Sequence, residues 1–368
     1  MFKLIKKAIP PSVKDKIKSG IKFIRQLDYR DLIIWMNWII GIKLPSKVRI
    51  DASSLCQLNC RGCFMRKFNY GNRGKGYLKF TDFEKFVKMN PYIKEVELSN
   101  LGEVFLNPDL KKIIQFAYSK KVKLTAWNGV NFNTVSDEIL EALVKYQFYG
   151  MNVAIDGSSQ EIYSWYRRNG NFDKVIDNIK KLKEYKEKYH SYHPIIVWQY
   201  VVSELNQSES EIKRAKEMAH ELGCKIIFIK DWDGFIPDDL PMVERETGLI
   251  YENKETGGLY GSEDNKVSYS PLRTLFCVEL WTSPQINYDG RLMGCCPNMT
   301  KDYGVNVFEI GLKKSLYSDV YKRTKKMLMG GKVCEESPCI DCSFYKKIAS
   351  ENNFITKKEI RRRKGIYD

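Results

Sequence analysis

The strongest constraint on the fold of this 368-residue chain is a repeated strand, loop and helix between residues 47 and 235. Val48-Arg49-Ile50-Asp51-Ala52 reads as a first strand, Glu95-Val96-Glu97-Leu98 as a second and Val122-Lys123-Leu124-Thr125 as a third. Strands at 151–155, 195–202 and 225–229 follow, each separated from the last by an amphipathic helical stretch: 81–89, 108–118, 136–145, 173–189 and 209–222. Thr81-Asp82 is the expected cap of the first helix, because both residue types accept hydrogen bonds from the free amides of a first turn. Six strands alternating with helices imply a parallel sheet with right-handed crossovers, either doubly wound or curled into a barrel. The pattern alone does not separate these two. In a barrel, the chemistry sits at the C-terminal ends of the strands, which directs attention to the residues after each strand.

The first strand runs into Cys56-Gln57-Leu58-Asn59-Cys60-Arg61-Gly62-Cys63, three cysteines with three and then two residues between them. Thiolates are the ligands that iron–sulfur clusters and zinc select. Three of them cannot fill all four irons of a cubane cluster, so one iron stays open. The ten cysteines cluster at 56–63 and 277–342, a distribution that fits metal ligation in a reducing compartment better than a disulfide framework. With no signal-peptide pattern at the N-terminus, the expected location is the cytoplasm.

The cysteine spacing resembles the signature loop of the radical S-adenosylmethionine superfamily, in which the open iron is chelated by the amino and carboxylate groups of S-adenosylmethionine. Phe64 after the last cysteine is compatible with that pattern. The resemblance chooses the barrel: an α/β fold, a partial (β/α)6 TIM-type barrel over 47–235. It also assigns roles. Gly102-Glu103 after strand two is similar to the pair that holds the methionine amino group, although Leu101 and Val104 replace the ends of the usual Gly-Gly-Glu-Pro run. Trp127-Asn128-Gly129 resembles the family's Thr-Asn-Gly. Ala154-Ile155-Asp156-Gly157 resembles its Ser-Ile-Asp-Gly. The spacing Glu161-x-Tyr163-x3-Arg167-x4-Phe172 makes Arg167 the implied partner of the methionine carboxylate, and Gln199 in strand five the implied contact to the ribose. Lys230 and Asp231, at the end of strand six, are the candidates for substrate contact and catalysis. His190, His193 and His220 lie in or beside predicted helices and are set aside.

Beyond a glycine- and charge-rich linker at 236–270, residues 271–347 carry Cys277-x12-Gly290-x4-Cys295, then Cys339-x2-Cys342. Tyr288-Asp289-Gly290 signals a hairpin that brings the first pair together. Four thiolates close a metal centre completely, and zinc or iron fits that count. The arrangement resembles the SPASM/twitch C-terminal domain, which implies one auxiliary 4Fe–4S cluster here beside the cluster that binds S-adenosylmethionine. Cys296 and Cys334 are left without a role, and Cys224 reads as a small buried hydrophobe.

The resemblance implies reductive cleavage of S-adenosylmethionine to a 5′-deoxyadenosyl radical, which takes hydrogen from substrate, with an electron donor such as flavodoxin or ferredoxin. A closed auxiliary cluster transfers electrons, so oxidation or epimerisation is the expected outcome. The substrate is expected to be a sugar, nucleotide-sugar or related small metabolite; the alternative is a peptide or protein maturase. Formal net charge is +16, from lysines scattered over amphipathic helices. This is read as a solvated surface without a nucleic-acid partner, and a zinc-containing nucleic-acid-binding protein is the rival from another class. Residues 1–46 alternate basic and apolar residues and include an apolar run of about eleven, too short to span a bilayer. They are read as helices packed on the main domain, with an interfacial helix on an anionic membrane as the alternative. Residues 348–368 form a basic tail.

Overall fold

The structure is a computed structural model that describes residues 44–63, 65, 69, 71–231, 237–249, 277–299 and 301–367, together with Arg30, Ile33 and Met36. Most of residues 1–46, and with it the membrane-surface reading, therefore lies outside the described residues. Arg30 is buried and donates from Nη1 to the Lys121 carbonyl at 2.6 Å, and Ile33 packs against the core. Among the described residues no helix is long and apolar enough to cross a membrane.

Six parallel strands, β1 (Lys47–Ile50), β2 (Glu95–Glu97), β3 (Lys123–Val130), β4 (Gly150–Ala154), β5 (Ile195–Val202) and β6 (Lys225–Lys230), lie side by side in the order β6-β5-β4-β3-β2-β1. This order never reverses, so every crossover steps the same way. A doubly wound sheet needs a reversal at its switch point; an unreversed order is that of a barrel wall. The crossover helices are α1 (Phe80–Met89), α2 (Leu110–Ser119), α3 (Asp137–Lys145), α4 (Gln160–Tyr166) with α5 (Phe172–Lys188), and α6 (Glu209–Glu221). In α5 the buried Val175, Ile176, Ile179 and Leu182 recur at helical spacing, Asn171 caps the N-terminus, and Lys186 and Lys188 complement the dipole at the other end.

One expectation is corrected, and two segments gain structural detail. Helix α1 begins at Phe80, before Thr81, and no local side chain caps it. Asp109, just ahead of α2, accepts the Phe80 amide at 3.0 Å, so a carboxylate from a distant loop fills the role of a local cap. The linker at 236–270 contains α7 (Leu240–Thr247), capped by Asp239, which buries Met242 and Val243. The basic tail is helical over Lys357–Tyr367, and Ile355 before it is buried in the core.

The C-terminal region joins the barrel directly. Strands β7 (Gln285–Ile286) and β8 (Leu292–Gly294) pair antiparallel around the turn at 288–290, where Gly290 has φ +91° and a Cβ would lie 2.2 Å from Asn306 Oδ1. Strand β7 pairs in parallel with β1, Arg49 opposite Gln285 and Ile50 opposite Ile286, which extends the sheet to eight strands. The edge of β1, left bare by a six-stranded partial barrel, is thereby covered. Helices at Asp319–Leu328 and Ser343–Ser350 complete this region.

Candidate active site

The loop after β1 is pinned by backbone bonds to the segment that follows α4. The Asn59 amide donates to the Arg168 carbonyl (2.9 Å) and the Arg61 amide to that of Tyr166 (3.0 Å), while the Cys63 amide turns back to the Cys60 carbonyl (3.3 Å). Held this way, Cys56, Cys60 and Cys63 line a single cavity of about 320 Å³ at the C-terminal ends of the strands. Gly102, Glu103, Asn128, Arg167 and Gln199 line the same cavity.

Gly102 is where the β2 loop touches the cysteine loop. Its φ is +74°, and a Cβ there would lie 2.4 Å from the Ser53 carbonyl oxygen, so only glycine permits the approach. The Glu103 amide then donates to the Leu55 carbonyl at 2.7 Å, and its carboxylate accepts the amides of Phe105 (3.2 Å) and Asn131 (2.7 Å). Burial outweighs these bonds and pushes the Glu103 carboxyl up from 4.5 to about 7. The folded protein thus retains a proton that the unfolded chain releases between about pH 4.5 and pH 7. Stability from this group is present below that window and lost as pH rises through it, by about 3 kcal/mol at most. In the metal-free protein, Glu103→Gln is expected to flatten this part of the pH profile of the urea midpoint. An unchanged profile counts against the shift.

Strand β3 runs on through the Trp127-Asn128-Gly129 segment, which the sequence pattern places after the strand. A register shift between Ala126 and Val130 marks the irregularity, and Gly129 adopts φ +111° within it. The Asn128 amide donates to Ser99 Oγ (3.0 Å) and its side chain to Asn100 Oδ1 (3.2 Å). Asn131, not singled out from the sequence, lines the cavity with its Nδ2 3.6 Å from Cys56 Sγ. Gln199 accepts from Asn152 Nδ2 at 3.3 Å.

Asp156 and the strand-six pair are placed differently from expectation. Asp156 is fully buried and does not line the cavity. Its carboxylate accepts from Arg167 Nε and, at 2.7 Å, from the Val201 amide. Arg167, so anchored, reaches the cavity with Nη1 3.7 Å from Cys60 Sγ. Asp156 is therefore a positioning residue behind Arg167. Neither Lys230 nor Asp231 lines the cavity either. Asp231 is buried and accepts the Tyr166 hydroxyl at 2.6 Å, and it is Tyr166 that faces the cavity.

In the C-terminal region Cys295, Cys339 and Cys342 come together. Burial pushes the Cys295 thiol well up, and its neighbours Cys339, Cys296 and Cys342 add to the rise. Cys339 is pushed to about 12, mainly by burial, with Cys342 beside it and the Tyr303 hydroxyl 3.7 Å away. Cys277 is buried at the start of the same region. Among the described residues no three Cys, His, Asp or Glu side chains converge on one metal-ion position. A zinc ribbon needs four sulfurs about 2.3 Å from one point. A cubane spreads its ligands over separate irons.

The cavity's remaining wall comes from this same region. Cys296 and Pro297 line it, a contribution that no spacing rule signals beyond the unassigned thiol at 296. The Cys296 amide donates to Glu279 (3.0 Å), and its carbonyl accepts from Arg73 Nη2 (3.2 Å) and Asn100 Nδ2 (3.3 Å). Arg73, wholly buried, also pairs with Asp51 at 2.7 Å and donates to the Asn298 carbonyl at 2.6 Å.

Comparison with known proteins bears on the fold around this cavity. Residues 51–197 match the Radical SAM superfamily. SuiB of Streptococcus suis bound to S-adenosylmethionine is similar in structure, with a TM-score of 0.58, 17% identity, and coverage of 90% of this chain and 82% of that one. SuiB bound to its precursor peptide SuiA gives a TM-score of 0.57 at 16% identity, covering 84% of this chain and 72% of that one. At such identities the likeness speaks for the fold alone. No curated protein matches the sequence. Residues 51–197 are thus similar to the radical SAM superfamily, a family whose cofactors are a 4Fe–4S cluster and S-adenosylmethionine.

Proposed function

We propose that the protein is a radical S-adenosylmethionine enzyme that takes hydrogen from a small-molecule substrate, a sugar, nucleotide-sugar or related metabolite, with oxidation or epimerisation as the outcome. The observation that carries this reading is the meeting of three thiols with Gly102, Glu103, Asn128, Arg167 and Gln199 around one cavity. The donor set fits the cofactors: three buried or half-buried thiols of cluster-type chemistry lie beside a glycine cradle, an anionic group and a cationic group. When bound, cluster and cofactor together supply a 5′-deoxyadenosyl radical.

The chain's own groups then have separable tasks. Cys56, Cys60 and Cys63 would hold the cluster, with three thiols for four irons. Glu103 accepts from the cofactor's ammonium group, and its raised pKa falls back once that cation is beside it. Arg167, kept charged by Asp156, meets the carboxylate. Asn128 and Gln199 serve the nucleoside end. The apolar wall of Leu58, Met65, Val201 and Ile229 keeps water from the reacting carbon. Cys277, Cys295, Cys339 and Cys342 would hold one auxiliary 4Fe–4S cluster, which would supply electron transfer with the substrate. All ten cysteines are free, in keeping with ligation in a reducing cytoplasm.

A peptide substrate is the second reading. It is favoured by the similarity in structure to SuiB, which has been seen with a precursor peptide bound. Anaerobic reconstitution, iron counting and an assay for 5′-deoxyadenosine test the main reading. About eight irons per chain and reductant-dependent deoxyadenosine are expected. About four irons remove the auxiliary cluster, and absence of deoxyadenosine removes the activity. Screening metabolite and peptide pools for substrate-stimulated deoxyadenosine separates the two substrate classes.

A further inference from the structure

Two of the cysteines that line the cavity have a side-chain N–H donor at the sulfur. Arg167 Nη1 lies 3.7 Å from Cys60 Sγ, and Asn131 Nδ2 lies 3.6 Å from Cys56 Sγ. Asn131 directly follows β3, at the end of the barrel wall where the cavity opens, and its side chain is buried. It is bonded at every polar atom. Its backbone amide donates to Glu103 Oε2 (2.7 Å) and its carbonyl accepts from Asn133 Nδ2 (2.9 Å). Its Oδ1 accepts from Gln57 Nε2 (2.9 Å) and from the Asn133 backbone amide (3.0 Å), while Nδ2 donates to Gln57 Oε1 at 3.3 Å as well as to the sulfur.

These partners fix which way the Asn131 amide points. The Asn133 backbone amide can only donate, so the atom facing it must be the carbonyl oxygen, and the atom facing Cys56 must be the NH2 group. Of the two hydrogens on Nδ2, one serves Gln57 Oε1 and the other is left for the sulfur. As a free thiol Cys56 itself donates to Gln57 Oε1, at 3.8 Å. As a cluster ligand it has lost that proton and can only accept.

We propose that Asn131 is a positioning residue for electron entry, which acts through Cys56 to raise the reduction potential of the cluster that Cys56, Cys60 and Cys63 would hold. The inference rests on the reading that these three thiols ligate a cluster. One-electron reduction places an extra negative charge on the cluster and its sulfurs; the reductant loses that electron, and no bond to Asn131 is made or broken. An N–H held against the sulfur stabilises the more negative state, and hydrogen bonds to ligand sulfurs are one of the levers by which a protein sets such a potential. Glu103 anchors the backbone of Asn131, not its side chain, so the lever can be changed without moving the anchor.

The test is a redox titration of the reconstituted full-length enzyme followed by electron paramagnetic resonance, reading the reduced signal that changes when S-adenosylmethionine is added. This choice keeps a cluster at the C-terminal cysteines out of the reading. Asn131→Asp keeps an acceptor for Asn133 and Gln57 and replaces the donor by a charged oxygen; Asn131→Leu removes the donor without adding charge. At the wild-type midpoint the ratio of reduced to oxidised cluster should fall about tenfold in Asn131→Leu, a shift of about 59 mV for a one-electron couple, and further in Asn131→Asp. Thr134→Val takes away the other acceptor of Gln57 Nε2 (3.3 Å) and leaves Asn131 in place, so its midpoint should match wild type. Iron content and affinity for S-adenosylmethionine should stay within about twofold of wild type in all three. The inference is overturned if Asn131→Leu and Asn131→Asp keep the wild-type midpoint, if Thr134→Val lowers it as far as they do, or if both Asn131 variants lose the iron, which would make Asn131 a support of the loop only. A wild-type enzyme with no signal that responds to S-adenosylmethionine strikes the cluster reading itself, and the role of Asn131 falls with it.

Discussion

Cys60→Ala is expected to abolish 5′-deoxyadenosine formation, a loss of at least about a thousandfold, and to lower the iron content by about four per chain. Two thiols cannot retain a cubane that three hold. Alanine also removes the sulfur 3.7 Å from Arg167 Nη1, so the guanidinium loses that neighbour. Cys339→Ala is the contrasting case. Its thiol lies with Cys295 and Cys342 beneath Tyr303, away from the cavity, so the variant should lose a similar amount of iron and yet still cleave S-adenosylmethionine when reductant is present. Substrate turnover should stop in both. Iron analysis with chromatography of the nucleoside product distinguishes the two variants. Residual cleavage by Cys60→Ala near the wild-type rate would remove this loop from the mechanism, and full turnover by Cys339→Ala would remove the electron-transfer role.

The parts of this molecule that were legible in the sequence are those written in local spacing. The run of β5 matches its expected bounds because alternate and adjacent apolar residues at 195–202 belong to a strand buried on both faces, with Trp198 and Tyr200 wholly enclosed. The Cys-x3-Cys-x2-Cys loop and the Asp-Gly hairpin are likewise local, and both are found where their spacing puts them. What escaped is set by partners far apart in the chain. Asp109 caps a helix 29 residues earlier, and Arg73 bonds a carbonyl 225 residues later. The pairing of β7 with β1, and the wall that Cys296 contributes, depend on the same kind of contact. Lys230 and Asp231 show the limit of a positional rule. They stand at a strand's C-terminal end, where barrel chemistry gathers, yet Asp231 turns to hold Tyr166 and leaves the cavity to that ring.

Asp156→Ala should produce the largest loss of stability among single changes around the cavity, about 3–5 kcal/mol. The Asp156 side chain has no solvent exposure and that of Arg167 only 16%. Removing the carboxylate strands a guanidinium in a site built to neutralise it, and it also unpairs the Val201 amide. Arg167 is then free to swing towards Cys60 or solvent, so affinity for S-adenosylmethionine should fall with stability. Asp156→Asn keeps an acceptor for Val201 and loses only the charge, and should lie between alanine and wild type. The decisive comparison is the double variant Asp156→Ala with Arg167→Met. With no charge left to strand, it should recover part of the stability lost in Asp156→Ala while binding the cofactor no better. Thermal melts of the metal-free proteins, paired with cofactor titration of the reconstituted ones, separate the two effects. A melt for Asp156→Ala indistinguishable from wild type would show that the guanidinium finds water or another partner, and Asp156 would then lose its claim to hold Arg167 in place.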